Sequence, residues 1–342
     1  MKNKLKIAVV GATGLVGRTM LRILEEREFP VVDLILLSSP KGAGSVIAFR
    51  GVDYTVDAIS EDSFESVDIA LFSAGKDVSV KYALIAAAKG CVVIDNGSYW
   101  RMHKKVPLIV PEVNPDALIG HHGIIANPNC STIQLVVALK PIHRTFGIKR
   151  MIVSTYQSIS GAGQKGINQL NDEILGKEPA ERVSKLPIAY NTVFHSITDS
   201  DGNSEEEIKM TNEPRKIFND FDLKISVTCV RLPILGGHGE SVNIETEKPT
   251  TVEELSELLN NSAGVTVIDD PVNSIYPTPL MSKDKDDVFV GRIRKDNSIE
   301  NGFNLWIVAD NIRKGAATNA VQIAELVLEK NLFEFERADF NN

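Results

Sequence analysis

Lys6-Ile7-Ala8-Val9-Val10-Gly11-Ala12-Thr13-Gly14-Leu15-Val16-Gly17-Arg18-Thr19-Met20 sets a short apolar, partly β-branched run against a glycine-rich turn. A helical pattern follows in Thr19–Glu28, with Met20, Leu21, Ile23 and Leu24 at its apolar positions. The order is strand, turn, helix. Glycines placed there permit a tight turn and let backbone N–H groups approach a pyrophosphate at the helix N-terminus. The G-x-x-G-x-x-G spacing departs from the commoner G-x-G-x-x-G, so the flanking strand and helix carry more weight than the string itself. Gly11, Ala12, Thr13, Gly14, Leu15 and Val16 are the candidate cofactor-binding residues of this turn.

Outward from it, apolar runs at Leu34–Leu37, Ile69–Phe72, Val92–Ile94 and Ile124–Ala126 alternate with helical candidates such as Val78–Lys89. Such alternation implies a parallel sheet with helices on its faces. Past Cys130 the texture changes. A helix is expected over Ser131–Phe146, then strands at Arg150–Ser158, Lys224–Leu232, Ser241–Thr246, Asp287–Arg294 and Asn304–Ala309, separated by long polar stretches. The acidic stretch Asp199–Glu207 reads as a solvated loop and helix start. The final helix, from Lys314 to Glu329, is expected to pack back on the first domain. The predicted architecture is α/β, with a parallel-sheet nucleotide-binding domain over 1–129 completed by the C-terminal helix 314–330, and a larger α+β domain over 130–313.

The whole chain of 342 residues is 43% hydrophobic, 24% charged and 6% aromatic, the composition of a globular protein of about two domains. Its 45 acidic and 37 basic residues give a formal net charge of −8, which argues against nucleic acid as a partner. No run approaches the ~18 apolar residues of a membrane helix. Lys2, Lys4 and Lys6 imitate the start of a signal peptide, but the apolar run stops at Gly11, so the segment is expected to belong to the mature fold. Three cysteines without ligand spacing argue against a disulfide framework and a structural zinc site, and predict a reducing cytoplasm with no metal.

The strand after the first helix ends Leu36-Leu37-Ser38-Ser39-Pro40-Lys41, where an NAD site would usually place a carboxylate for the ribose 2′-hydroxyl. Two hydroxyls and an ammonium suit a 2′-phosphate instead. Ser38, Ser39 and Lys41 therefore predict NADP. Gly161-Ala162-Gly163-Gln164-Lys165-Gly166 imitates a phosphate loop but continues with Ile167, where Lys then Ser or Thr is needed.

Asn127-Pro128-Asn129-Cys130-Ser131-Thr132 puts Cys130 at the start of a helix, where the macrodipole stabilises a thiolate. Backbone N–H groups there can also face an oxyanion. Cys91 and Cys229, inside β-type runs, are expected to be core thiols. Of six histidines, His103, His121, His122, His143 and His195 read as surface or capping residues. His238, in Arg231-Leu232-Pro233-Ile234-Leu235-Gly236-Gly237-His238-Gly239-Glu240-Ser241, sits in a glycine-flanked turn as an unscreened imidazole, the candidate general acid/base.

These segments, with Ser154-Thr155-Tyr156-Gln157, Ser160-Gly161-Ala162-Gly163 and Lys314-Gly315-Ala316-Ala317-Thr318-Asn319, resemble the aspartate-β-semialdehyde dehydrogenase family over more than nine-tenths of the chain. The resemblance implies a Rossmann-type first domain and a second domain for catalysis and dimerisation, in a homodimer or homotetramer. It implies that Cys130 forms an acyl-enzyme, that His238 is the acid/base and that Gln157 orients the substrate. Arg231 would hold the substrate carboxylate and Glu213 its ammonium, while Arg101, Lys216 and Asn129 would bind phosphate. Glu206 and Lys209 share the i, i+3 spacing of Glu213 and Lys216, so either pair fits. Ser160, Gly161 and Asn319 would join the cofactor contacts.

The implied reaction is NADPH-dependent reduction of aspartyl phosphate to aspartate semialdehyde with release of phosphate, in lysine, threonine and methionine biosynthesis. A nucleophile that stores the acyl group as a thioester makes that carbonyl a far better hydride acceptor than a carboxylate. N-acetyl-γ-glutamyl-phosphate reductase and glyceraldehyde-3-phosphate dehydrogenase are alternatives of the same plan. A free amino acid calls for both an anion partner and a cation partner, as Arg231 and Glu213 would supply.

Overall fold

The computed structural model describes residues 4–340, and Lys2 of the opening basic residues lies outside them. The described chain divides into two compact units, one running to Pro128 and resuming at Ala316, the other spanning Asn129–Gly315.

In the first unit, β1 (Leu5–Val10), α1 (Leu15–Glu26), β2 (Val31–Ser38), β3 (Val46–Phe49), β4 (Val52–Ala58), β5 (Ile69–Phe72), α2 (Lys76–Ala88), β6 (Val92–Asp95) and β7 (Ile124–Ala126) follow one another. The strands form one sheet in the order β3-β4-β2-β1-β5-β6-β7. Every pairing is parallel except β3 with β4. Sequence patterning missed that hairpin. Its two-residue turn is Arg50-Gly51, both at positive φ, and arginine lacks the Asn or Asp signal that usually marks such a turn. β5, β6 and β7 are buried at every position, as a sheet covered on both faces requires.

The chain moves from β1 outward through β2 and β4, then returns to β5 on the other side of β1. That reversal is where open α/β sheets bind ligands. Gly11, at φ +83°, closes β1 there, and a Cβ on it would lie 2.1 Å from the Ser73 carbonyl oxygen after β5. No other residue type fits so close an approach.

The second unit opens with α3 (Cys130–Phe146) and β8 (Ile148–Gln157), then α4 (Gly163–Ile174), β9 (Val193–Phe194), α5 (Glu205–Phe218), β10 (Lys224–Arg231) and β11 (His238–Thr246). α6 (Val252–Asn260), β12 (Val265–Val267), α7 (Pro279–Ser282), β13 (Val288–Asp296) and β14 (Gly302–Ala309) complete it. Its mixed sheet runs β12-β13-β14-β11-β8-β10-β9. β8 alternates strictly over its second half, with Met151, Val153, Thr155 and Gln157 buried and Ile152 and Tyr156 exposed. The buried set faces α3, as the bond from Gln157 to Ser131 shows. Ile152 and Tyr156 therefore line an open apolar face.

The expected helix over Lys314–Glu329 is divided. A wide π turn occupies Arg313–Ala317, and the regular helix α8 covers Thr318–Glu329. α8 belongs to the first unit, where Val321, Ile323, Ala324 and Val327 join Met20, Ile23 and Leu24 of α1 in the core. The stretch Asp199–Glu207 is a loop and helix start as expected, exposed over Ser200–Gly202, but its helical end is not solvated. Glu206 is buried, and Glu207 closes a capping box with Ser204 while accepting the Cys229 N–H at 3.0 Å. Among the described residues, no helix is long and apolar enough to cross a membrane.

Candidate active site

Asn129 caps α3: its Oδ1 accepts the N–H groups of Ser131 at 3.0 Å and Thr132 at 3.3 Å. Two of the helix's otherwise orphaned donors are thereby satisfied. Cys130 follows as the first helical residue and is half-buried, where the helix dipole favours its thiolate. Cys91 and Cys229 are fully buried, and burial pushes both thiols far up, so neither suits a nucleophile.

Three strand ends meet beneath that helix start. Arg231, the last residue of β10, pairs with Gln157, the last of β8, and His238 opens β11 one step beyond the Gly239–Tyr156 pair. Paired residues of neighbouring strands share a face, so Arg231, Gln157 and His238 form one row on the α3 side. The Gln157 Nε2 donates to Ser131 Oγ at 2.9 Å and to Glu206 Oε1 at 3.1 Å. Arg231 Nη1 donates to the Ser158 carbonyl at 3.1 Å.

His238 is not the unscreened imidazole of a turn: it is fully buried. Its Nδ1 accepts the Ser158 N–H at 3.0 Å, which places the ring proton on Nε2. Burial, followed by the charge of Arg231, pushes its pKa down to about 3. The ring is neutral at physiological pH. Nε2 is buried with no hydrogen-bond partner among the described residues, a donor left for something else to satisfy.

His195 belongs to the same cluster, contrary to its reading as a surface or capping residue. Its Nε2 donates to Gln157 Oε1 at 2.8 Å, and its Nδ1 accepts from Arg231 Nη2 at 3.4 Å. Burial and the neighbouring Arg231 lower its pKa to about 4. No local motif marks His195, because it reaches the row from the short edge strand β9, which ends at Phe194. His121 is likewise buried rather than superficial, with Nε2 2.9 Å from the Leu332 carbonyl.

The two acidic candidates on α5 part company. Glu206 Oε1 accepts from Asn129 Nδ2 at 2.8 Å as well as from Gln157, and its Oε2 pairs with Lys209 at 3.5 Å. Burial opposes its ionisation, but Lys209, His195 and the bonds from Asn129 and Gln157 outweigh burial and hold it down to about 2. Glu213 accepts the backbone N–H of Asn129 at 2.7 Å, behind the cap rather than in the row. Burial lowers Lys216 to about 8, against the opposing pull of Glu213. The structure thus brings Glu206, not Glu213, to Gln157.

Ser160 is buried with its Oγ 2.8 Å from Ser158 Oγ. Gly161 lies so near the row that a Cβ there would come within 3.0 Å of Arg231 Nη1 and 3.3 Å of His238 Nε2.

In the first unit, Gly11 and Ala12 donate their N–H groups to the Leu37 carbonyl, at 2.8 and 3.1 Å, pinning the glycine turn to the end of β2. Gly14 is the N-cap of α1 and provides no side-chain cap, while Leu15 and Val16 form its first turn. Thr13 and Ser38 converge on Gly42, and Ser39 and Lys41 are exposed at the same strand end. This glycine cradle, with hydroxyls and an exposed ammonium at the same strand end, fits a dinucleotide. Arg101 is buried in the loop after β6 and donates to the Asn96 carbonyl at 2.7 Å. Asn319 is fully buried, with its Nδ2 committed to the Ile109 carbonyl at 3.0 Å and Asn127 Oδ1 at 2.6 Å. Its visible work is to tie α8 to the ends of the sheet.

Comparison with known proteins supports the α/β fold. Residues 6–121 match the family described as semialdehyde dehydrogenase, NAD binding domain, and residues 139–314 match semialdehyde dehydrogenase, dimerisation domain. The chain is 54% identical to an aspartate-semialdehyde dehydrogenase of Aquifex aeolicus, over 96% of this chain and 99% of that protein. It is 49% identical to one of Bacillus subtilis, over 97% and 100%. A crystal structure of aspartate semialdehyde dehydrogenase II from Vibrio cholerae, complexed with ASA, superposes with a TM-score of 0.91 at 45% identity, covering 95% of this chain and 98% of that one. The Candida albicans enzyme crystallised with NADP gives 0.77 at 26% identity, covering 96% and 99%.

Proposed function

Since the chain belongs to the aspartate-semialdehyde dehydrogenase family and is an oxidoreductase acting on an aldehyde, we propose that it is the NADP-dependent, phosphorylating enzyme working through a thioester on Cys130. One observation carries the reading: the row Arg231–Gln157–His238 lies under the helix start that presents Cys130.

In the biosynthetic direction the Cys130 thiolate attacks the acyl carbon of aspartyl phosphate, the C–O bond to phosphate breaks, and the acyl group is held as a thioester. Arg231 grips the α-carboxylate and Glu206 the ammonium, the opposite charges a free amino acid requires. Gln157, its amide locked by His195, Ser131 and Glu206, orients the acyl group. Lys209 beside Glu206 is the cation for departing phosphate, with Asn129 next to it. NADPH, when bound, supplies the hydride that a thioester carbonyl accepts. His238 meets oxygen charge with its Nε2–H, and collapse of the thiohemiacetal frees the semialdehyde and the thiolate. Because Ser158 holds the proton on Nε2, uptake of a further proton by His238 requires that the Ser158 contact be given up.

Such an enzyme serves lysine, threonine and methionine biosynthesis. The open face with Ile152 and Tyr156 suits assembly into a homodimer. The decisive experiment is reduction of NADP with aspartate semialdehyde: turnover rises with phosphate or arsenate, which release the acyl group. Steady turnover without either anion would instead mark a hydrolytic aldehyde dehydrogenase.

A further inference from the structure

One step deeper in the sheet than the reactive row lies a second row. Glu240 pairs with Thr155 on β8 and Ile307 on β14, and Thr155 pairs with Cys229 on β10. All four residues are fully buried. Ser131 and Gln134, from the first turns of α3, are the polar neighbours of the Glu240 carboxyl, and no charged side chain is among the groups acting on it.

Drawn as a carboxylate, this group does not fit its surroundings. Among the described residues, neither Glu240 oxygen has a hydrogen-bond partner, and neither has Gln134 Oε1. A carboxylate and an amide oxygen are both acceptors, so they cannot satisfy each other. A buried, unpaired carboxylate is also far more costly than a neutral acid. One added proton resolves both problems. The neighbouring bonds fix where it points. Gln134 Nε2 donates to the His238 carbonyl at 3.4 Å, which turns Gln134 Oε1 the other way. Ser131 Oγ accepts from Gln157, leaving its own proton free to donate.

We propose that Glu240 is a neutral carboxylic acid that donates to Gln134 Oε1 and accepts from Ser131 Oγ, a positioning residue whose single proton orders the bonds holding Gln157 and His238 beneath Cys130. The path runs from Gln157 through Ser131 to Glu240, and from Glu240 through Gln134 to the His238 backbone. The role assigned to Glu240 rests on the thioester reading above, but its protonation does not.

Infrared difference spectra of the whole protein at neutral pH, wild type minus Glu240→Gln, test the proton directly. The spectrum should contain the C=O band of a protonated carboxylic acid, shifted in D2O. Stability supplies a second arm. The native acid keeps its proton while the unfolded one loses it near pH ~4.3, so wild type should lose about tenfold in folding constant per pH unit above that, relative to Glu240→Gln. The titratable groups nearest are Cys229 on β10 and His238 on its own strand. Burial keeps the first protonated and the second neutral over that range. In turnover, Glu240→Met should cost about ten- to a hundredfold in kcat with an unchanged KM for NADP, the expected result of orphaning Ser131 and Gln134. Glu240→Gln, which keeps a donor and an acceptor, should recover most of that loss. Absence of the acid band, a pH-independent stability gap, or Glu240→Gln as damaging as Glu240→Met would each overturn the proposal. The first two arms need no turnover, so they fail independently of the mechanism assigned to Cys130.

Discussion

His195 Nε2 donates to Gln157 Oε1 at 2.8 Å, and this bond decides which end of the Gln157 amide faces Ser131 and Glu206. An amide without that partner could rotate by half a turn and present its oxygen to Glu206, two acceptors in conflict. His195→Ala should therefore lower kcat for aspartate semialdehyde by about ten- to a hundredfold, the loss from one buried amide left without its bond. Binding of NADP, followed by fluorescence or calorimetry, should not change. A kcat near that of wild type would remove His195 from the site.

The same histidine makes a pH prediction. Its pKa is about 4 in the folded protein and ~6.5 when unfolded, so the unfolded chain binds more protons between those values and stability falls as pH falls. Denaturant titrations from pH 6.5 to 4 should show wild type losing about 1–3 kcal/mol relative to His195→Gln, a range that allows for partial exposure. A constant difference would mean that His195 titrates as it does in the unfolded chain.

Glu206 and Glu213 should separate cleanly. Glu206→Gln removes the charge beside Gln157 and should reduce kcat/KM for the semialdehyde by about a hundredfold or more, consistent with losing one partner of a buried charge pair. Glu213→Gln loosens the Asn129 cap and should cost about 1–2 kcal/mol of stability with a smaller effect on kcat/KM. The reverse pattern would restore Glu213 and Lys216 as the substrate and phosphate pair.

Cys130→Ala should abolish acyl-enzyme formation, and labelled substrate should appear on neither Cys91 nor Cys229. Arg231→Leu should cut kcat/KM by roughly two to four orders of magnitude, since breaking a desolvated ion pair costs about 3–5 kcal/mol. Alkylation of Cys130 should be spared. An aldehyde lacking the α-carboxylate should lose little between wild type and Arg231→Leu. Additive losses from removing carboxylate and arginine would show that Arg231 serves the fold, through the Ser158 carbonyl it binds.

Lys41→Glu places a carboxylate where a 2′-phosphate would sit and should shift preference toward NAD by about tenfold or more, the usual size of a charge-assisted contact. Initial rates with both cofactors measure it. Equal efficiency of NAD and NADP in the unmodified protein would refute the assignment of Ser38, Ser39 and Lys41.

Local patterning by itself determined the parallel centre of the first unit's sheet, because β1, β5, β6 and β7 are short, largely buried apolar runs, and Ile69–Phe72 and Ile124–Ala126 coincide with the observed bounds. It also placed Cys130 at a helix start, since Asn129 is a capping residue beside an apolar helical pattern. Tertiary structure alone decided the row under that helix. Gln157, His195, Glu206, Arg231 and His238 come from separate elements, and strand register together with burial selects which of them meet. Spacing left Glu206 and Glu213 equivalent, while the bonds of Asn129 and Gln157 tell them apart. Burial likewise turned the exposed-looking His238 into a neutral N–H donor, because its Gly-Gly turn leads at once into a covered strand. A protonation state depends on everything packed around a side chain, and no local motif carries that information.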